Sequence, residues 1–211
     1  MPFQLDLLGV YRAQSLAAES WLVHGFGTRV SERWPRGGEV VTLKQIHSAI
    51  AWEAREAAGC LGEGDALISA QPGLLLTIRT ADCIPVLIAD PVRRVVAAIH
   101  AGWRGTASGI VGKTVARMTE LFRTDPDDLI ASIGPGIKVC CFEVGPEVSS
   151  QFGTNASHVD LIEANRLDLI ASGVTRIDHG APCTVCEPEL FHSFRRDKTQ
   201  GRMISAIGIR A

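Results

Sequence analysis

The chain has 211 residues, 46% of them hydrophobic and 21% charged, with a formal net charge of -2. Such a length can bury a sizeable core, and the near-neutral charge offers no basic face to nucleic acid or to an anionic membrane surface. The longest apolar stretch, Leu74 to Val96, is interrupted by Arg79, Asp82, Pro85 and Asp90, and MPFQLDLLGVYRAQ lacks the pattern of a secretory signal, so no membrane span and a cytoplasmic location are expected.

In chain order, short β-branched runs predict strands at Trp21–His24, Glu39–Leu43, Ala66–Ser69, Leu74–Thr80, Ile84–Ala89 and Val95–Ile99. The last two are joined only by Asp90-Pro91-Val92-Arg93-Arg94, which predicts a hairpin. A helix is predicted from Ser108 to Phe122, with Ser108 as its cap and Ile110, Val111, Val115, Met118 and Leu121 on one face. A strand at Leu129–Ile133 follows, then a helix from His158 to Ala171 with Val159, Leu161, Ile162, Leu167 and Ile170 inward, then a strand at Met203–Ile209. Strands outnumber helices without alternating strictly with them. That pattern predicts an α+β fold, a layered sandwich with mixed β-sheets, rather than a doubly wound one. No repeat or polar linker divides the chain, so residues 1–211 are expected to form a single domain. Neither a G-x-G-x-x-G nor a Walker loop occurs.

Three segments place reactive side chains at predicted strand ends. LKQIHS carries Gln45 and His47, TADCIP carries Asp82 and Cys83, and AIHAGWRGT carries His100, Trp103 and Arg104, with glycines 102 and 105 permitting a tight backbone. The hairpin brings the residue before its first strand beside the residue ending its second, so Cys83 meets His100. Two imidazoles and a thiolate suit zinc with a fourth position open, while a thiol beside a histidine can equally be an activated nucleophile. Packing accounts for most such cysteines, and the long spacing from His47 to Cys83 does not choose among these readings.

The remaining candidates are less defined. Arg29 follows an early strand and can hold a phosphate or ribose oxygen; Arg104, Arg195 and Arg196 can clamp an anion or simply be solvated. The turn Gly134-Pro135-Gly136 is expected to bring Cys141 or its backbone near Cys83, although packing is the ordinary fate of Cys140 and Cys141. In a reducing compartment the six cysteines are expected as thiols. Cys183 and Cys186 form a C-x-x-C with no second pair at zinc-ribbon spacing, so no structural zinc is expected there.

HGFGTR, KQIHS, GDALIS, TADCIPVLIADP, AIHAGWRGT, SIGPGIKVCCFEVG and FHSFRRDKTQGR occur in this order from His24 nearly to the C-terminus. Together they resemble the YfiH family, also called laccase-domain or multicopper polyphenol oxidase-like. The resemblance implies a layered fold with mixed sheets and a His/Cys/His catalytic or metal triad, carried here by His47, Cys83 and His100. It also implies purine nucleoside and phosphate as partners: phosphorolysis of adenosine, inosine, guanosine or methylthioadenosine, and deamination of adenosine. Arg29, Gln45, Asp82, Arg104 and Cys141 are the expected substrate contacts. Zinc is expected rather than copper, because six histidines with no H-x-H pair cannot build a multicopper cluster. The competing readings are a cysteine hydrolase acting on an amide of a cell-wall precursor, a copper polyphenol oxidase, and a non-enzymatic zinc module. The segment at residues 30–43 is shorter than family members usually have, which trims one expected wall of the pocket.

Overall fold

Strands apolar at every position are buried on both faces, and the predicted hairpin is of this kind. In the computed structural model, which describes residues 2–56, 59–198 and 200–211, its two strands are buried along their whole length. The strands in chain order are β1 (Phe3–Leu5), β2 (Val10–Ala13), β3 (Leu22–Gly27), β4 (Glu39–Lys44), β5 (Ala51–Glu53), β6 (Gly59–Glu63), β7 (Ala66–Ser69), β8 (Leu74–Thr80), β9 (Ile84–Asp90), β10 (Val95–Ala101), β11 (Ile130–Ile133), β12 (Arg176–Asp178) and β13 (Met203–Ile209). The helices are α1 (Gln14–Ala17), α2 (Trp103–Ala107), α3 (Ile110–Phe122), α4 (Pro146–Ser149), α5 (Leu161–Ala171) and α6 (Phe194–Asp197).

One sheet runs β1-β2-β3-β13-β8-β4-β6 and the other β12-β11-β9-β10-β7-β5. Both are mixed: β4 lies parallel to β8 and β6, β11 parallel to β12, and β5 parallel to β7, with antiparallel pairs between. Leu87, Ala89, Val96 and Ala98 of the second sheet meet Phe26, Val41, Leu76, Ile78 and Ile207 of the first. The alternate residues Val86, Ile88, Ala97 and Ile99 instead pack against Ile110, Val111, Val115 and Met118 of α3 and Leu161 and Leu169 of α5. The result is an α+β stack of sheet, sheet and helices, with β9 and β10 in the middle layer. No helix among the described residues is long and apolar enough to cross a membrane.

Three predicted strands, β7, β8 and β13, have their expected bounds, and the hairpin pairs in the expected register, with Asp90 opposite Val95 and Pro85 opposite His100. The unpredicted strands are β1, β2, β5, β6 and β12, of which β1, β6, β5 and β12 are the four sheet edges. Edge strands bury little and so carry little apolar signal. Ser108 does not cap α3; its N–H closes α2 on the Arg104 carbonyl at 3.0 Å, and α3 starts after Gly109 in a left-handed conformation. The second long helix starts at Leu161, capped by Asp160, whose carboxylate accepts the Glu163 N–H at 3.0 Å. Leu167 and Ile170 face solvent, because the buried stripe follows Leu161, Asn165 and Leu169, and the polar Asn165 hid its phase.

His24 on β3 is buried, and its Nε2 accepts the Ala13 N–H at 3.2 Å, which requires a neutral ring. Burial first, then the Arg12 charge, lower its pKa from 6.5 to about 4. The unfolded chain binds this proton near the ordinary value while the fold refuses it down to about pH 4, so stability falls as pH drops through that window. The loss from this one group is on the order of 3 kcal/mol at the acid end. Urea unfolding at pH 7 and pH 4 is expected to show a larger acid loss for the wild type than for His24→Gln; equal losses would refute a buried neutral His24.

A candidate catalytic and metal site at one end of the sandwich

A carboxylate with no exposed surface must find donors within the protein. Asp65, directly before β7, is one, and it finds them in the turn after β4. Its Oδ1 accepts the His47 N–H at 3.0 Å, and its Oδ2 accepts the N–H groups of Ser48 at 2.6 Å and Ile46 at 3.3 Å, with the Ser48 hydroxyl at 2.6 Å. Successive N–H groups thus cradle one anion, and they hold His47 at a left-handed φ of 60°, a conformation costly for a side chain with a Cβ. On the other side, Asp65 Oδ1 accepts from His100 Nδ1 at 2.8 Å, and its carbonyl accepts the His100 N–H, also at 2.8 Å. One aspartate therefore positions both histidines and leaves His100 Nε2 for another partner.

Cys83 reaches the same point from the start of β9. Its Sγ lies 3.9 Å from His47 Nε2, and the two imidazoles meet edge to face with centroids 4.9 Å apart. The preceding Asp82 sits at a φ of 85° with its carboxylate accepting from Thr184 Oγ1 at 2.7 Å, Ser193 Oγ at 3.1 Å and the Arg195 N–H at 2.7 Å. Gly102 closes the space: a Cβ there would stand 2.8 Å from His47 Cδ2 and 3.2 Å from Cys83 Sγ, so only glycine fits.

Burial alone resists charge on Asp65, His100 and Cys83, and their mutual pairing overrules it. Against burial, His100 and Ser48 lower Asp65 to about 2. Against burial, Asp65 and then Cys83 raise His100 to about 9. Against burial, His100 and His47 lower Cys83 to about 6. At neutral pH the metal-free row is carboxylate, imidazolium, thiolate. The ligand atoms of His47, Cys83 and His100 lie within 4.8 Å of one another, a donor set that suits zinc with a fourth position open and Asp65 as the carboxylate behind one histidine.

These residues sit in a cavity of about 540 Å³ whose walls include Lys44, Gln45, Arg79, Phe194, Gln200 and Arg202. Gln45 lines it while tying β4 to β8, donating to the Arg79 carbonyl and accepting the Arg79 N–H, each at 2.8 Å. Other expected contacts lie elsewhere. Arg29 donates to the Pro188 carbonyl at 2.8 Å, its backbone N–H to the Leu190 carbonyl at 2.8 Å, and it lines a second cavity of about 190 Å³ that shares Arg202 with the first. Arg104 lies over the Trp103 ring at 4.3 Å on the exposed side of α2. The Asp82 carboxylate is spent on Thr184, Ser193 and Arg195, so it supports the site from behind. Arg195 donates to the Glu143 carbonyl, and Arg196 to the carbonyls of Thr184, Val185 and Phe191, so both brace loops.

The Gly134–Gly136 turn does run under the site, with the Gly134 N–H on the Pro85 carbonyl at 2.9 Å and the Ile137 N–H on the Asp82 carbonyl at 2.7 Å. Cys141, however, does not line the cavity. Its sulfur lies 3.6 Å from Cys140 and 3.5 Å from Cys186, in a cluster completed by Cys183. The C-x-x-C therefore has a partner pair after all, the adjacent Cys140 and Cys141. The residue that sequence reasoning missed altogether is Asp65, visible only as the acidic residue of GDALIS before an apolar strand.

The family model described as "Multi-copper polyphenol oxidoreductase laccase" matches residues 28–210. A Bacteroides thetaiotaomicron protein named purine nucleoside phosphorylase is 42% identical over 69% of the chain, and the match spans 60% of that relative's length. The Escherichia coli protein named purine nucleoside phosphorylase YfiH is 36% identical over 79% of the chain and 72% of its own. The crystal structure of a Bacillus licheniformis hypothetical protein YfiH superposes with a TM-score of 0.90 at 27% identity, covering 99% of both chains.

In chelator-treated protein, Cys83 is expected to be alkylated as a thiolate with a midpoint near pH 6, followed peptide by peptide to separate it from the other cysteines. Replacing His100 by Gln removes the cation that lowers this value and is expected to move the midpoint upward by more than one unit, which slows alkylation at neutral pH by about twofold or more. An unchanged midpoint would contradict the pairing.

Proposed function

This chain belongs to the multi-copper polyphenol oxidoreductase laccase family, and we propose that it is a purine nucleoside phosphorylase whose catalytic centre is His47, Cys83 and His100. The observation that carries the reading is the convergence of those three side chains, oriented by Asp65, on a cavity large enough for a nucleoside. The relatives' printed names supply the substrate class. His47, Cys83 and His100 would hold a zinc ion, which would supply Lewis acidity. That same site serves adenosine deamination and methylthioadenosine phosphorolysis, which the proposal includes.

The chain's own residues meet the other demands of phosphorolysis. Phosphate needs a cationic wall, and Arg79 and Arg202 line the cavity that holds the triad. Arg29, expected in that role, faces a different cavity. A purine offers a flat π-face, and Phe194, 47% exposed on the rim, offers a surface to stack on. Asp65 keeps the Nδ1 side of His100 occupied, so the ring presents a single nitrogen to the site.

A second reading has an observation of its own. Cys83, His100 and Asp65 stand in the order thiolate, imidazole, carboxylate, the arrangement of a cysteine hydrolase acting on an amide. The oxidase in the family's description fits less well: among the described residues, the metal-competent groups are this triad and four cysteines, with no further histidine cluster.

Incubation with adenosine and with inosine, with and without phosphate, is expected to give free base and ribose 1-phosphate only when phosphate is present. Without phosphate, adenosine is expected to give inosine. Cys83→Ala is expected to lower both activities by about 100-fold or more with little change in melting temperature, and Arg79→Ala to raise the KM for phosphate more than that for nucleoside. Full turnover in Cys83→Ala, or base release indifferent to phosphate, would overturn the assignment.

A further inference from the structure

Five of the six cysteines take no part in this site, yet four of them come together. Cys140 and Cys186 are exposed, Cys141 is half-buried and Cys183 is buried, so apolar packing does not explain why they converge. Their sulfurs lie 3.6 Å (Cys140 to Cys141), 3.8 Å (Cys140 to Cys186) and 3.5 Å (Cys141 to Cys186) apart, and all four lie within 4.8 Å of one another. A tetrahedron with metal–sulfur bonds of about 2.3 Å has sulfur–sulfur edges of about 3.8 Å. A disulfide has a bond of about 2.05 Å, much shorter than any of these separations.

The backbone around the cluster is built to the same end. Gly136 bridges Cys183, and the Thr184 N–H donates to the Gly136 carbonyl at 3.1 Å, which brings loop 136–142 against loop 183–187. The Glu187 N–H closes a turn on the Cys183 carbonyl at 3.2 Å. Backbone N–H groups of Lys138, Cys186 and Val185 face the buried Cys183 sulfur, as donors to a thiolate do.

We propose that Cys140, Cys141, Cys183 and Cys186 form a second metal centre, a tetrathiolate site for a single zinc ion, which clamps these two loops behind the catalytic triad. Thiolate donors select zinc over magnesium or calcium, and four protein ligands leave no open position, which makes the role structural. The clamp acts on the first site through Asp82: Thr184, between two of the cysteines, donates to its carboxylate at 2.7 Å, and Ile137 to its carbonyl at 2.7 Å. Asp82 is the left-handed residue that delivers Cys83 to the triad. The inference is independent of which reaction the triad performs.

The test uses the full chain carrying Cys83→Ala, so that the triad contributes no thiolate, stripped of metal under reducing conditions and titrated with cobalt(II). One equivalent is expected to produce the intense visible absorption of tetrahedral cobalt thiolate, and zinc to abolish it. Elemental analysis of Cys83→Ala purified without chelator is expected to find one zinc per chain. When Cys140→Ser and Cys186→Ser, both at exposed positions, are added to the Cys83→Ala chain, the absorption is expected to be lost, as is the drop in Tm that chelation causes in Cys83→Ala. Absence of the absorption in Cys83→Ala, or a disulfide among the four cysteines under reducing conditions, would overturn the site. Stoichiometric iron would overturn the choice of zinc.

Discussion

Asp65 is closed off from solvent, and a carboxylate so placed is stable only while donors surround it. Three consecutive backbone N–H groups, a hydroxyl and an imidazole meet that need. Because they come from the turn after β4 and from the end of β10, satisfying the charge joins the two sheets at one end of the sandwich. The same bonds hold His47 in a backbone conformation it would otherwise avoid and fix which nitrogen His100 turns to Cys83. Removing the carboxylate would leave the turn's N–H groups and the imidazole without their acceptor together, so geometry and electrostatics at this site have a common origin.

A second carboxylate does similar work on the opposite wall. Asp82 takes a left-handed backbone and is held there by Thr184, Ser193 and Arg195, so that Cys83 enters β9 aimed at the histidines. Between the two aspartates runs the β9–β10 hairpin, packed on both faces and therefore resistant to bending. The thiol at its start and the imidazole near its end inherit that rigidity, as a site meant to hold a metal or a reacting atom requires. The cavity walls come instead from Gln45 after β4, Arg79 near the end of β8, Phe194 at the start of α6 and Arg202 before β13.

The parts legible in the sequence are those with a local signature. Continuous apolar runs marked β9 and β10, and a five-residue connection implied their pairing, which was enough to bring Cys83 to His100. The resemblance supplied His47, whose distance along the chain carries no signal. Asp65 stayed hidden because one acidic residue before a strand reads as a boundary, and its partners lie 17 to 35 residues away. The four-cysteine cluster was illegible for a related reason: an adjacent pair and a C-x-x-C meet only through the Gly136–Cys183 bridge. Arg29 and Arg104 read as bare charges in the sequence, yet the Pro188 carbonyl engages one and the Trp103 indole the other.

The account turns on Asp65 holding His100 charged through Nδ1 while Cys83 gives up its proton. Nitrogen NMR of the histidine side chains in metal-free protein reads this directly. The prediction is a His100 ring protonated on both nitrogens at neutral pH and titrating at about 9. A His100 that is neutral at pH 8, titrating near the ordinary histidine value of 6.5, would contradict it.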